Sequence, residues 1–196
     1  MTTIHLSRDE RMSTILRAAT EIVMESGIES ATITSIANRS GVSRQWLYEF
    51  YPDVESILAA MYEEAQREFF QREGRPQPRT TNFIDAVKSE TCVFLRMPVA
   101  FAMVVSYALN GGARNSIRGA TLRKLILDSY ESGWVEPLLA AGFSREEIYG
   151  SIMTLTNAAV GLNIAVSEGF TTLEIAERRL IGVVDSLIGS ASQPLE

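Results

Sequence analysis

The chain has 196 residues, 46% of them hydrophobic and 21% charged, a composition that excludes a low-complexity or disordered chain and points to a folded globular protein. Its single cysteine, Cys92, excludes an internal disulfide framework and a four-thiolate metal site, so it reads as a small core hydrophobe in a reducing compartment. The net charge of −6 excludes a generally basic nucleic-acid binder, so any such contact has to come from local groups.

The first residues, up to Arg11, are polar and show no secretory signal, which sets a cytoplasmic expectation. Ser7 followed by Glu10 is a capping box: the serine oxygen takes a free N–H of the first turn while the glutamate reaches back, so a first helix starts near Ser7. Met12, Ile15, Ala19, Ile22 and Val23 recur at helical spacing, and Gly27 stands where a left-handed C-terminal cap is wanted. Thr32 caps a second helix with Ile33, Ile36 and Ala37 inward, soon ended by Ser40 and Gly41. Ser43 caps a third over residues 44–50. Pro52 and Asp53 then break the chain ahead of a long fourth helix over residues 54–72, with Ile57, Leu58, Met61, Ala65 and Phe69 on one side.

Gly74, Pro76 and Pro78 mark residues 73–82 as a linker. Further helices are predicted over residues 83–96, 98–109, 115–141, 145–168 and 172–189, followed by a tail over residues 190–196. Uncharged stretches at 97–113 and 148–167 are interrupted by proline, glycine, serine and asparagine, so they read as buried helices and no membrane partner is expected. No strand pattern of alternating residues occurs, and the predicted fold class is all-α.

Within this order, Ala37, Gly41 and Leu47 are spaced as a helix-turn-helix requires. A small residue lets the helices cross, a glycine takes the turn, and an apolar side chain plugs the angle between them. The pattern extends through Ile15, Leu16, Ala18, Ala19 and Gly27, through Thr32, Ile33, Ile36, Val42 and Ser43, and on to Tyr48, Tyr51, Glu55, Ile57 and Leu58. As a set, over about a quarter of the chain, it resembles the TetR family of transcriptional regulators.

The resemblance implies a DNA-binding helix-turn-helix domain over residues 1–53, with its motif at about 32–51. A long fourth helix would join it to a larger helical ligand-binding and dimerisation domain over residues 54–189. It also implies a bacterial transcriptional regulator, a repressor bound as a homodimer to a palindromic operator in double-stranded DNA and released by a small, mainly apolar effector. The third helix offers Arg44, Gln45 and Tyr48 on one face, with Ser43 at its start. Arg44 suits guanine or phosphate, Gln45 an adenine edge, and Ser43 and Tyr48 phosphates; Trp46 suits either a thymine methyl or packing on the first helix. With Thr32, these are the candidate DNA contacts. Gln45, Trp46, Glu49 and Val54 depart from the family's usual residues, and Val54 and Glu49 weaken the expected phosphate contacts. They keep an alternative in view, a ligand-binding or scaffold dimer with a weakened reading head.

In the second domain, Ile148, Ile152, Leu155, Ala159, Leu162 and Val166 follow 4,3 spacing, and Leu173, Ala176, Leu180, Val183 and Leu187 repeat it. Ile152, Leu155, Ala159, Leu162, Val166, Leu180, Val183 and Leu187 are the expected dimer interface, with Gly161 and Ala165 permitting close approach. Phe69, Phe94, Phe101, Met103, Tyr107 and Trp134 are candidates for an apolar effector pocket. Catalysis has little to stand on: His5 is the only histidine, and no HExxH, CxxC, GxSxG, P-loop or GxGxxG occurs. No enzyme activity, metal or cofactor is expected.

Overall fold

A computed structural model describes residues 7–74, 83–110, 117–140 and 142–189, and every element among them is helical. Helix α1 (Arg8–Ser26) starts on the predicted capping box: Glu10 N–H donates to Ser7 Oγ at 3.3 Å, and Ser7 N–H to Glu10 Oε2 at 2.7 Å. Ile15, Ala18, Ala19, Ile22 and Val23 form its buried stripe. Gly27 ends it with φ 81° and ψ 164°. The φ is positive as expected, but the extended ψ is not the left-handed cap; it is a conformation open essentially to glycine alone.

Helices α2 (Ile33–Ser40) and α3 (Arg44–Phe50) follow a 3₁₀ turn at Ile28–Ser30. Asp53 caps α4 (Val54–Glu73), its Oδ1 accepting from Ser56 N–H at 2.8 Å and Ser56 Oγ at 2.7 Å. The long α4 packs on α1 as well as on α6 (Val99–Asn110) and α7 (Ile117–Tyr130), and buries Ile57, Leu58, Met61 and Tyr62 between them. One hydrophobic cluster consequently runs from Ile15 in α1 to Ile188 in α10 (Leu173–Gly189) without a break at α4. Most of the expected linker, residues 75–82, and the tail, residues 190–196, lie outside the described residues, as does His5.

Two predicted helices are interrupted. The helix expected over 83–96 is α5 (Phe83–Val93) followed by a 3₁₀ turn at Phe94–Arg96, which brings the chain to Pro98 and α6. The helix expected over 115–141 is α7, then a π-helical turn at Glu131–Val135, then α8 (Glu136–Ala140). Glu136 N–H bonds to Glu131 O, one residue further back than in an α-helix. The widened turn ends two residues before Pro137, which has no N–H to give to an α-helical ladder.

Helix α9 (Arg145–Ser167) starts on a capping box of its own, Ser144 with Glu147, and packs against α6, α10 and the Phe94–Arg96 turn. The uncharged α6 is core, with Ala100, Phe101, Ala102, Val104, Val105, Ala108 and Leu109 buried. Among the described residues no single helix is long and apolar enough to cross a membrane.

Candidate nucleic-acid interface

The geometry of α2 and α3 follows from three residues. Gly41 takes the left-handed conformation, φ 70° and ψ 11°, that reverses the chain after α2. Ala37, 5% exposed, leaves room for α3, and Leu47, 0% exposed, fills the angle between the helices. With Leu47 turned inward, Arg44, Gln45 and Tyr48 stand on the outer side of α3, all exposed, Tyr48 at 56%.

Ser43 and Thr32, both exposed, hold the helix starts. Ser43 Oγ accepts Trp46 N–H at 3.2 Å, and Thr32 Oγ1 accepts Ser35 N–H at 3.0 Å while Thr32 N–H donates to Ser35 Oγ at 2.8 Å. Trp46 differs from the other five candidates. It is half-buried, its ring centroid 4.1 Å from that of Phe50 and 5.0 Å from the guanidinium carbon of Arg11 on α1, so it takes the packing position of its two expected places. Arg39, on the neighbouring α2, is committed to α1: its guanidinium donates to both Glu25 oxygens at 2.8 and 3.0 Å and to Glu21 at 3.4 Å. These contacts hold the Glu25 carboxyl below its usual range.

In the second domain, a cavity of about 10 Å³, room for about one water, is lined by Thr91, Phe94, Tyr130, Trp134, Ile152, Leu155, Thr156 and Ala159. Among the described residues no charged side chain lines it. Thr156 Oγ1 donates to Tyr130 Oη at 3.1 Å, and Thr91 Oγ1 to Val87 O at 2.7 Å. Burial pushes the Tyr130 phenol far above its usual value, so it stays neutral.

Of the six pocket candidates, Phe94 and Trp134 line this cavity. Phe101 lies behind Phe94, ring centroids 5.9 Å apart, and stacks on Tyr62 of α4 at 4.8 Å. Phe69 sits beneath Phe70 and Arg72 near the end of α4, Tyr107 borders a groove at the start of α4, and Met103 is half-buried on α6; none of these three lines the cavity. The sequence reading missed Thr91 and Thr156 as lining residues. The available signal was Thr156, a hydroxyl set among Ile152, Leu155 and Ala159.

The residues of the expected dimer seam lie as follows within one protomer. Ile152 and Leu155 are 2% exposed, Ala159 and Leu180 0%, all already buried within one protomer. Three of them line the cavity, and Ala159 and Leu180 pack with Leu95 and Ala176. Heptad spacing marks a buried stripe without saying what buries it, and here α6 and the Phe94–Arg96 turn cover that of α9 while α5 and α9 cover that of α10. Leu162, Val166, Val183 and Leu187 are half-buried against the same clusters. The outer faces carry different residues: Gly150, Thr154 and Gly161 on α9, and Ile175 and Gly182 on α10, all exposed, with Ala165 half-buried.

Residues 15–61 match the family model described as bacterial regulatory proteins, tetR family. An uncharacterised HTH-type transcriptional regulator of Mycobacterium tuberculosis is 47% identical over 47 residues, 24% of this chain and 25% of its own length; the match thus spans about a quarter of this relative. The fold likeness extends much further. A transcriptional regulator from Rhodococcus sp. Rha1 superposes with a TM-score of 0.66 at 18% identity, over 91% of this chain and 96% of that one. The fatty acid degradation regulator FadR of Bacillus halodurans gives 0.62 at 17% identity, over 91% and 96%.

Proposed function

Because the chain belongs, through its N-terminal domain, to the tetR family of bacterial regulatory proteins, we propose that it is a DNA-binding transcriptional regulator and not an enzyme. Residues 1–53 form the reading head and residues 54–189 the effector-binding and pairing body. The observation that carries this reading is α3, with Leu47 fully buried on one side and Arg44, Gln45 and Tyr48 exposed on the other. A short helix so anchored presents polar side chains to a major groove, Arg44 to guanine or phosphate and Gln45 to adenine, while Ser43, Thr32 and Tyr48 hold phosphates.

The regulator acts as a homodimer on a palindromic operator and represses by occupancy. A neutral, mainly apolar effector with one hydrogen-bonding group suits a cavity lined by rings, aliphatic side chains and three neutral hydroxyls. That cavity is too small to admit it without moving its walls, and the walls lead to the head. Phe94 touches Phe101, which stacks on Tyr62 of α4, and Tyr62 Oη is 3.1 Å from Ser129 Oγ, beside Tyr130. An effector that holds the cavity open favours a second position of α4, and with it a different separation of two reading heads.

Selection from randomised duplexes by the full-length protein tests this, and a two-fold symmetric site should be enriched. Arg44→Ala should weaken binding to that site by about 1–3 kcal/mol and relax the base preference at one position of each half. Recovery of only unrelated sequences would falsify the DNA-reading role.

A further inference from the structure

Helix α1 packs against both α4 and α6, and where the three meet they leave a groove of about 550 Å³ at the surface. That volume lies within the roughly 300–1,000 Å³ of small-molecule sites, so no wall has to move before a ligand enters. Each helix supplies apolar surface: Leu16 and Met24 from α1, Met61 and Ala65 from α4, Phe101 and Val104 from α6. Met61, Phe101 and Val104 are buried and form the floor, whereas Met24 is 50% exposed. An unbranched thioether at a rim adapts its shape to an apolar ligand of irregular outline.

Charge around the groove is one-sided. Among the described residues its charged lining is Glu21, Glu25, Glu64 and Glu68 against Arg17. Two further arginines lie outside the lining and reach these acids: Arg39 bonds to Glu21 and Glu25, and Arg67 to Glu64. Arg72, one turn beyond Glu68, has its guanidinium carbon 5.7 Å from the Phe69 ring centroid. With Arg17, Arg39 and Arg67 all set against the four carboxylates, one negative charge stands in surplus. The paired acids are not sealed off, since Glu21, Glu25 and Glu64 keep 46%, 57% and 33% of their side-chain surface exposed. Carboxylate oxygens with lone pairs left over accept a second cation.

We propose that this groove is a binding site for a small monocationic amphiphile. Its apolar body fills the space over Phe101 and Val104 between Leu16 and Met24, and its positive centre meets the carboxylates of the rim. The site is separate from the buried cavity beside Tyr130, yet Phe101 joins the two, lining the groove while its ring packs 5.9 Å from that of Phe94 in the cavity wall. An occupant touches α1 and α6 together and holds them in one relative position. That consequence is regulatory on the reading of residues 1–53 as the DNA-binding head; the binding itself does not depend on that reading.

The probe is tetraphenylphosphonium, titrated calorimetrically into the full-length protein, with tetraphenylborate as an ion of the same shape and opposite charge. The phosphonium should bind at least about tenfold more tightly than the borate, and raising salt from about 50 to about 500 mM should narrow the difference. Arg17 and Glu68 are both exposed, so Arg17→Gln and Glu68→Gln should melt as the wild type does. Their effects on the phosphonium should be opposite: about fivefold tighter for Arg17→Gln, about fivefold weaker for Glu68→Gln. With isotope-labelled methionine methyls, the signals of Met24 and Met61 should move on binding while that of Met153 on α9 stays. Equal affinity for the two ions, no binding up to about 1 mM phosphonium, or a response centred on Met153 overturns the site. So do charge variants that leave the affinity unchanged. A protein that binds the phosphonium in this way but selects no duplex keeps the site and loses the DNA-reading head.

Discussion

Asn163 joins two segments through one amide. It is 3% exposed, and its Nδ2 donates to Phe94 O at 3.1 Å and to Met97 O at 2.9 Å, tying the turn between α5 and α6 to α9. The Phe94 carbonyl also accepts Met97 N–H at 3.3 Å within the turn, so the side chain gives it a second donor and gives the Met97 carbonyl a donor of its own. Asn163→Ala should cost about 1–3 kcal/mol in chemical denaturation, since it strands the Met97 carbonyl away from water; a loss within measurement error would show that the turn repacks. An asparagine in an apolar run announces a buried polar role, but not which carbonyls it meets, because those arrive from residues about 70 positions earlier. Gly41 was fully legible by contrast, since its turn is local. A Cβ added there meets nothing within 4 Å, so the cost of Gly41→Ala is conformational only. Thermal unfolding should show a loss of about 1 kcal/mol, with Gly41→Asn losing less.

The elements of the N-terminal half were read closely because their signals are short-range: capping serines, threonines and aspartate, terminating glycines, and an apolar period confined to each helix. The π-helical turn at Glu131–Val135 was not legible, since helical periodicity continues through it and only Pro137 hinted at a break. Its first residue is pinned to α9: Tyr149 Oη donates to Glu131 Oε2 and Arg145 Nη1 to Oε1, both at 2.6 Å. These bonds, that of Tyr149 foremost, hold the Glu131 carboxyl below its usual value of 4.5. A carboxyl lowered by folding stabilises the fold fully above its unfolded value and loses that contribution as the pH falls through the lower folded value. Glu131→Gln should therefore melt below the wild type at neutral pH, and the gap should close on acidification through and below about pH 4. The effect is small because the pair is partly solvated. A gap in melting temperature that does not depend on pH would mean that the carboxylate charge contributes nothing there.

At the scale of the whole molecule, one unbroken core runs from Ile15 to Ile188 through α4, so in the proposed mechanism α4 is the link between the helix-turn-helix and the helices that follow. The sequence showed two buried stripes in α9 and α10 but not that α6 and the Phe94–Arg96 turn cover the first while α5 covers the second, because coverage is a property of tertiary contacts that no single helix records. With Ile152, Leu155, Ala159 and Leu180 in the interior, the proposed pairing would use the outer faces, where Gly161 and Gly182 have nothing within 4 Å of an added Cβ. Within one protomer a side chain at Gly161 is therefore free of clashes, and arginine there should raise helix propensity by up to about 1 kcal/mol. In a symmetric four-helix packing of α9 and α10 with their counterparts, each copy would instead drive a long cation into the contact, and drive it twice. Gly161→Arg should then sediment as a monomer with unchanged helicity and undiminished thermal stability at low concentration, and bind a palindrome no better than a half-site. A variant that remains a dimer would place the pairing surface elsewhere, and one that unfolds would place Gly161 inside the protomer after all.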